Sequence, residues 1–229
     1  MDIINIFHFI NIIAKINQIR KERSIKNIIN IDFKNDYQKI GNYKKTLFVC
    51  SHDYCFVDIL ASYGMTLKIK NLKKNTYVIV RDSFISSYGK LFPDIKMIER
   101  GNNIFDKMIR IFENNENIMI FYSRIHLKYL NIDKIIKRVN INIVPIRITS
   151  NTIEPISHNQ DGILENIDIY LQNKFSIEIL DKINYENDYN KEKFIDILKG
   201  LLYPDNGYFD EEGNFIKNKK INTNVLKYI

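Results

Sequence analysis

Short apolar, β-branched runs recur between segments of helical period along most of this chain, and that alternation narrows the choice of fold more than any other feature. Residues 47–50, 76–80, 95–98, 117–122, 141–148 and 175–180 read as strands, each bounded by polar or turn-forming residues. Between them, Ile104, Phe105, Met108, Ile109, Ile111 and Phe112 recur at helical spacing and predict an amphipathic helix over 103–114. Helices are also expected from Asp58 to about Lys70, over 132–139 and over 189–202. Alternation of this kind predicts an α/β fold: a largely parallel, mixed sheet flanked by helices, with an amphipathic helix ahead of it. No Pro/Gly/Ser-rich linker divides the 229 residues, so the expectation is a single domain over 1–229 with its core at 46–185 and a peripheral polar tail at 204–229.

Residues 1–23 place Ile3, Ile6, Phe7, Ile10, Ile13 and other apolar side chains among Asn5, Asn11, Lys15 and Asn17, then end on Arg20, Lys21 and Arg23. The apolar stretch is interrupted well short of the ~20 residues that a membrane span needs. The segment is expected to be an amphipathic helix, either lying in an anionic membrane interface or packed on the core. Both readings stay open. A net charge of +7 favours an anionic partner, whether a membrane surface, a phosphorylated or CoA-like molecule or nucleic acid. Nucleic acid ranks last, because scattered Lys and aromatic residues make no recognisable binding module. Cys50 and Cys55 lie too close together for a disulfide framework, which points to an intracellular, reducing setting, and no metal-ligand spacing stands out.

The candidate chemistry is concentrated in residues 47–60. A strand-like run to Cys50 delivers His52 into a polar turn, and Asp58 follows near the start of a helix. In α/β folds, ligands gather outside the carboxyl ends of strands, where this histidine would sit. A nearby carboxylate can accept the imidazole Nδ1–H and leave Nε2 free to take a proton from a hydroxyl. The same residues suit a solvated turn, and spacing alone does not decide between the two. Arg81, at the end of the 76–80 strand, and Ser123, Arg124 and His126, just past the 117–122 strand, occupy similar positions.

Taken together and in order, these stretches resemble the PlsC-like glycerolipid acyltransferases, the superfamily of lysophosphatidic acid and glycerol-3-phosphate acyltransferases. Ser51-His52 to Asp58 is similar to the family's first block, in which a histidine and an aspartate flank four residues. Ile98-Glu99-Arg100 resembles the end of the second block, Ile120-Phe121-Tyr122-Ser123-Arg124 takes the place of the third, and Ile143-Val144-Pro145-Ile146 resembles the fourth. The strand and turn at 175–184 are similar to what usually follows. Two departures bear on activity: five residues rather than four separate His52 from Asp58, and the third block has Ser123 and Arg124 where the family has Glu-Gly.

The resemblance implies a membrane-associated, peripheral enzyme of phospholipid biosynthesis. It would move a fatty acyl group from acyl-CoA or acyl carrier protein to a hydroxyl of a glycerol phosphate or lysophospholipid. The acyl donor is a co-substrate, and no further cofactor or metal is implied. His52 and Asp58 would be the catalytic pair, and Arg100 would bind the substrate phosphate, with Arg81, Ser123 and Arg124 as further substrate-binding candidates. For Arg81 and Arg124, solvated surface charge is the alternative reading. The alternative for the whole chain is an acyltransferase-fold protein that has lost part of its site and binds lipid or membrane.

Overall fold

The computed structural model describes residues 30–51, 55–69, 71–80, 85, 92, 95–122, 126–150, 174–183, 191–203, 208–209 and 215–216. The elements, in chain order, are β1 (Asn30–Phe33), β2 (Thr46–Ser51), α1 (Cys55–Lys68), α2 (Leu72–Asn75), β3 (Thr76–Val80), β4 (Lys96–Glu99), α3 (Ile104–Glu113), β5 (Asn117–Tyr122), α4 (Asp133–Ile136), β6 (Asn142–Ser150), β7 (Lys174–Ile179) and α5 (Lys191–Leu202). A short antiparallel pair, β8 (Tyr208–Phe209) and β9 (Phe215–Ile216), lies in the stretch expected to be a plain polar tail. Residues 1–23, expected to form the amphipathic helix, lie outside the described residues. Among those described, no helix is long and apolar enough to cross a membrane.

The main sheet has seven strands in the order β1-β7-β6-β2-β5-β3-β4. From β6 to β4 every pairing is parallel, and β7 runs antiparallel to β6 and parallel to β1. The sheet is therefore largely parallel with a reversed edge.

Central strand β2 shows why these sequences become buried strands. Its side chains alternate between the two faces: Phe48 and Cys50 join the cluster that includes Ala61, Tyr63 and Met65 of α1, while Leu47 and Val49 join the cluster of Met108 and Phe112 of α3 and Phe194 and Leu198 of α5. With both faces covered, an apolar run is stable where a half-solvated strand would alternate with polar residues. Pro145 is accommodated inside β6 because its carbonyl faces β7, accepting the Leu180 N–H at 3.0 Å. The N–H it lacks falls on that same side, where the β7 ladder is ending.

Polar side chains complete the joints. At the start of β5, buried Asn117 accepts the Thr46 N–H at 3.0 Å and donates to the Tyr43 carbonyl at 2.8 Å, fixing where β2 begins. Arg147 of β6 donates from Nε and Nη2 to the Leu201 carbonyl in the last turn of α5 and from Nη1 to Glu178 of β7 at 2.7 Å. One guanidinium thus joins two strands and the end of a helix.

Candidate functional site

The connections place the crevice. The segment after β2 forms α1 on one face of the sheet and leads to β3, whereas the segment after β5 leads through the turn of 126–129 and α4 on the opposite face to β6. A right-handed crossover requires this change of face when the chain reverses its direction of travel across a sheet. β2 and β5 are neighbours, so their chains part company at the carboxyl end of the sheet. That is the topological switch point at which open α/β sheets bind ligands. The register sets Ser51 directly beside Tyr122, and β3 and β4 end alongside with Val80 beside Glu99.

Several residues singled out in the sequence come directly after the strand ends of this edge in the chain and themselves lie outside the described residues. His52 follows Ser51, Arg81 follows Val80, and Ser123 and Arg124 follow Tyr122. Asp58 belongs to α1, with only its backbone described. Helix α1 begins at Cys55 and not near Asp58, because Cys55, Phe56 and Val57 continue the helix's apolar pattern.

Arg100 is described in full. Its backbone N–H donates to the Val80 carbonyl at 2.7 Å, extending the β3–β4 ladder by one step. Its guanidinium carbon stands 5.8 Å from the centroid of the Tyr122 ring. Tyr122 is only 6% exposed, and its carbonyl accepts the hydroxyl of Tyr203, just beyond α5. Burial pushes the Tyr122 phenol above its usual range, and the Arg100 charge partly opposes that rise.

Ser51 has a structural assignment that its place beside His52 did not suggest. Its buried hydroxyl donates to the Ile148 carbonyl at 3.2 Å and accepts the Ile148 N–H at 2.8 Å. Cys50, one residue earlier, is fully buried, which raises its thiol well above the ordinary value and disfavours the nucleophilic thiolate. Sequence reasoning missed Tyr122 and Tyr203. For Tyr122 there was a signal, since it is the last residue of a strand whose following residues were already candidates; for Tyr203 there was none.

The architecture defines a doubly wound α/β protein with one reversed sheet edge and its topological switch point between β2 and β5. Among solved structures it is similar to the crystal structure of the 1-acyl-sn-glycerophosphate (LPA) acyltransferase, PlsC, from Thermotoga maritima. The TM-score is 0.50 at 10% identity, over 81% of this chain and 76% of that one. At such identity the likeness is one of fold. No family model matches the sequence, and no curated protein matches it at a significant level.

Proposed function

We propose that this protein is an O-acyltransferase that transfers an acyl group from a CoA or acyl-carrier-protein thioester to a hydroxyl of a glycerol phosphate or lysophospholipid. The observation that carries the reading is the convergence at one switch point: the strands leading to His52 and to Ser123 end abreast, and Arg100 reaches over the second of them. His52 Nε2 takes the proton of the acceptor hydroxyl as its oxygen attacks the thioester carbon, a general-base role worth ~100- to 10,000-fold in rate. Asp58 accepts the Nδ1–H, fixing the tautomer and stabilising the imidazolium. The tetrahedral oxyanion then collapses, the C–S bond breaks, and the leaving thiolate takes up the proton held by His52. First-turn N–H groups of α1, which lack intrahelical acceptors, are the nearest donors in sequence for the oxyanion. Arg100 binds the acceptor's phosphate through charge-assisted hydrogen bonds.

The test is thiol release from a panel of acyl-CoA donors with lysophosphatidic acid or glycerol 3-phosphate as acceptor. Release by the parent should fall at least ~100-fold in His52→Ala, with the fold retained. Undiminished release in the variant removes His52 from the mechanism. No release by the parent with any donor supports the lipid-binding alternative, which the substitution of Ser123 and Arg124 for Glu-Gly also favours.

A further inference from the structure

Arg100 sits after β4, yet its guanidinium lies over a side chain of β5, and in the sheet order β5-β3-β4 the strand β3 separates the two. Strand neighbours are about 4.8 Å apart, so the arginine and the tyrosine ring together span the edge of β3, the guanidinium carbon standing 5.8 Å from the ring centroid. A long, exposed arginine does not hold one such position unaided, because its free rotamers cost about 2 kcal/mol to freeze. Tyr122 supplies what holds it. The ring is buried beneath the guanidinium, and its backbone is fixed on one side by the β2 ladder and by the Tyr203 hydroxyl at its carbonyl.

Among the described residues, Lys96 over Tyr77, Lys128 over Tyr129 and Lys134 over Phe105 are contacts of lysines with rings that are half-buried or exposed. Arg100 differs from them in meeting a buried ring at the carboxyl edge of the sheet. A guanidinium carries five N–H donors, more than a contact with one ring occupies. Among the described residues, no carboxylate bridges to Arg100.

We propose that Tyr122 is a positioning residue for Arg100: its ring is the platform that aims the guanidinium at an anionic group, the acceptor's phosphate, bound beside the end of β2. The inference rests on the reading of Arg100 as the phosphate ligand. Tyr122 acts through Arg100 and not on the reacting atoms, so its loss weakens acceptor binding and leaves the acyl-transfer step itself intact.

The experiment is a titration of the full-length chain with glycerol 3-phosphate, followed by NMR, with glycerol as the unphosphorylated comparator. Arg100→Ala should weaken binding at least about tenfold, the scale of a lost charge-assisted hydrogen bond. Tyr122→Leu should weaken it about two- to fivefold, the scale of an exposed cation–π contact, and Tyr122→Phe, which keeps the ring, should restore parental binding. The double variant Arg100→Ala/Tyr122→Leu should bind no more weakly than Arg100→Ala alone. In turnover, Tyr122→Leu should raise the acceptor KM by the same factor, with kcat and the donor KM unchanged.

Parental binding by Tyr122→Leu, or an effect that adds in full to that of Arg100→Ala, overturns the role of Tyr122 while leaving that of Arg100 standing. Equal binding by parent and Arg100→Ala, or no binding by the parent, overturns both. Should Tyr122→Leu not fold, Tyr203→Phe carries the test, because it frees the Tyr122 carbonyl and keeps the ring. Weaker glycerol 3-phosphate binding that disappears in the Arg100→Ala background supports the platform, and unchanged binding overturns it.

Discussion

Ser51 spends both capabilities of its hydroxyl on one residue of β6, and so cannot also serve as a nucleophile beside His52. Replacing it with alanine leaves the buried Ile148 N–H and C=O without that partner, and an unsatisfied buried group costs about 1–3 kcal/mol. Ser51→Ala should therefore lower the urea midpoint by a corresponding amount without changing the denaturant slope. Tyr122 carries a different signature. Burial, the larger influence, raises its phenol above the ordinary 10.0 despite the opposing Arg100 charge. A raised value in the folded state means that the unfolded chain loses its proton first as pH climbs. Stability from this group is then complete below pH 10.0 and is lost as the pH rises through the folded-state value. Arg100→Ala, which removes the opposing influence, should move the Tyr122 titration further upward, as followed by NMR of ring-labelled tyrosine with Tyr122→Phe to identify the signal.

Where α5 meets the sheet, the joint is electrostatic as well as apolar. Arg147 and Glu178 have side chains 21% and 29% exposed, so their bond is only partly screened, and the Leu201 carbonyl belongs to a helix end whose last carbonyls lack intrahelical donors. Arg147→Ala should cost about 1.5–3 kcal/mol in denaturant unfolding, and Arg147→Lys should recover little, because an ammonium cannot match the forked contact. At this scale the sequence was readable wherever period and burial agree. Strands β3 and β5 fall where their β-branched runs predicted, and α3 spans Ile104–Glu113 against an expected 103–114. The helical expectation over 132–139 shrinks to the single turn of α4, since Ile132, Ile135 and Val139 reach the core without needing a longer helix. Asparagine has local meaning at Asn71, Asn103 and Asn115, which adopt positive φ at turns where most side chains are strained. Of the candidate site, the strand ends were legible because a polar residue after an apolar run is a local signal. The Arg100–Tyr122 contact was not, because it joins residues that become close only once β3 lies between their strands.

Strand order is a property of the whole chain, and no local pattern announced that β1 would be paired with β7. That pairing is sealed by Asn35, whose side-chain amide donates to the Ile179 carbonyl and accepts the Ile179 N–H at 3.2 Å, across 144 residues of sequence. Closing so long a loop has a large entropic cost, recovered only after other contacts have formed. Asn35→Ala should accordingly speed unfolding and leave the refolding rate nearly unchanged, as stopped-flow fluorescence in urea would show. The same separation governs the birth of the protein. A ribosome working at roughly 5–20 residues per second takes about 7–30 s to pass from β1 to its partner. Through that interval, Ile31 and its neighbours are outside the exit tunnel with no sheet to join, a waiting time long enough for a chaperone to be their first partner.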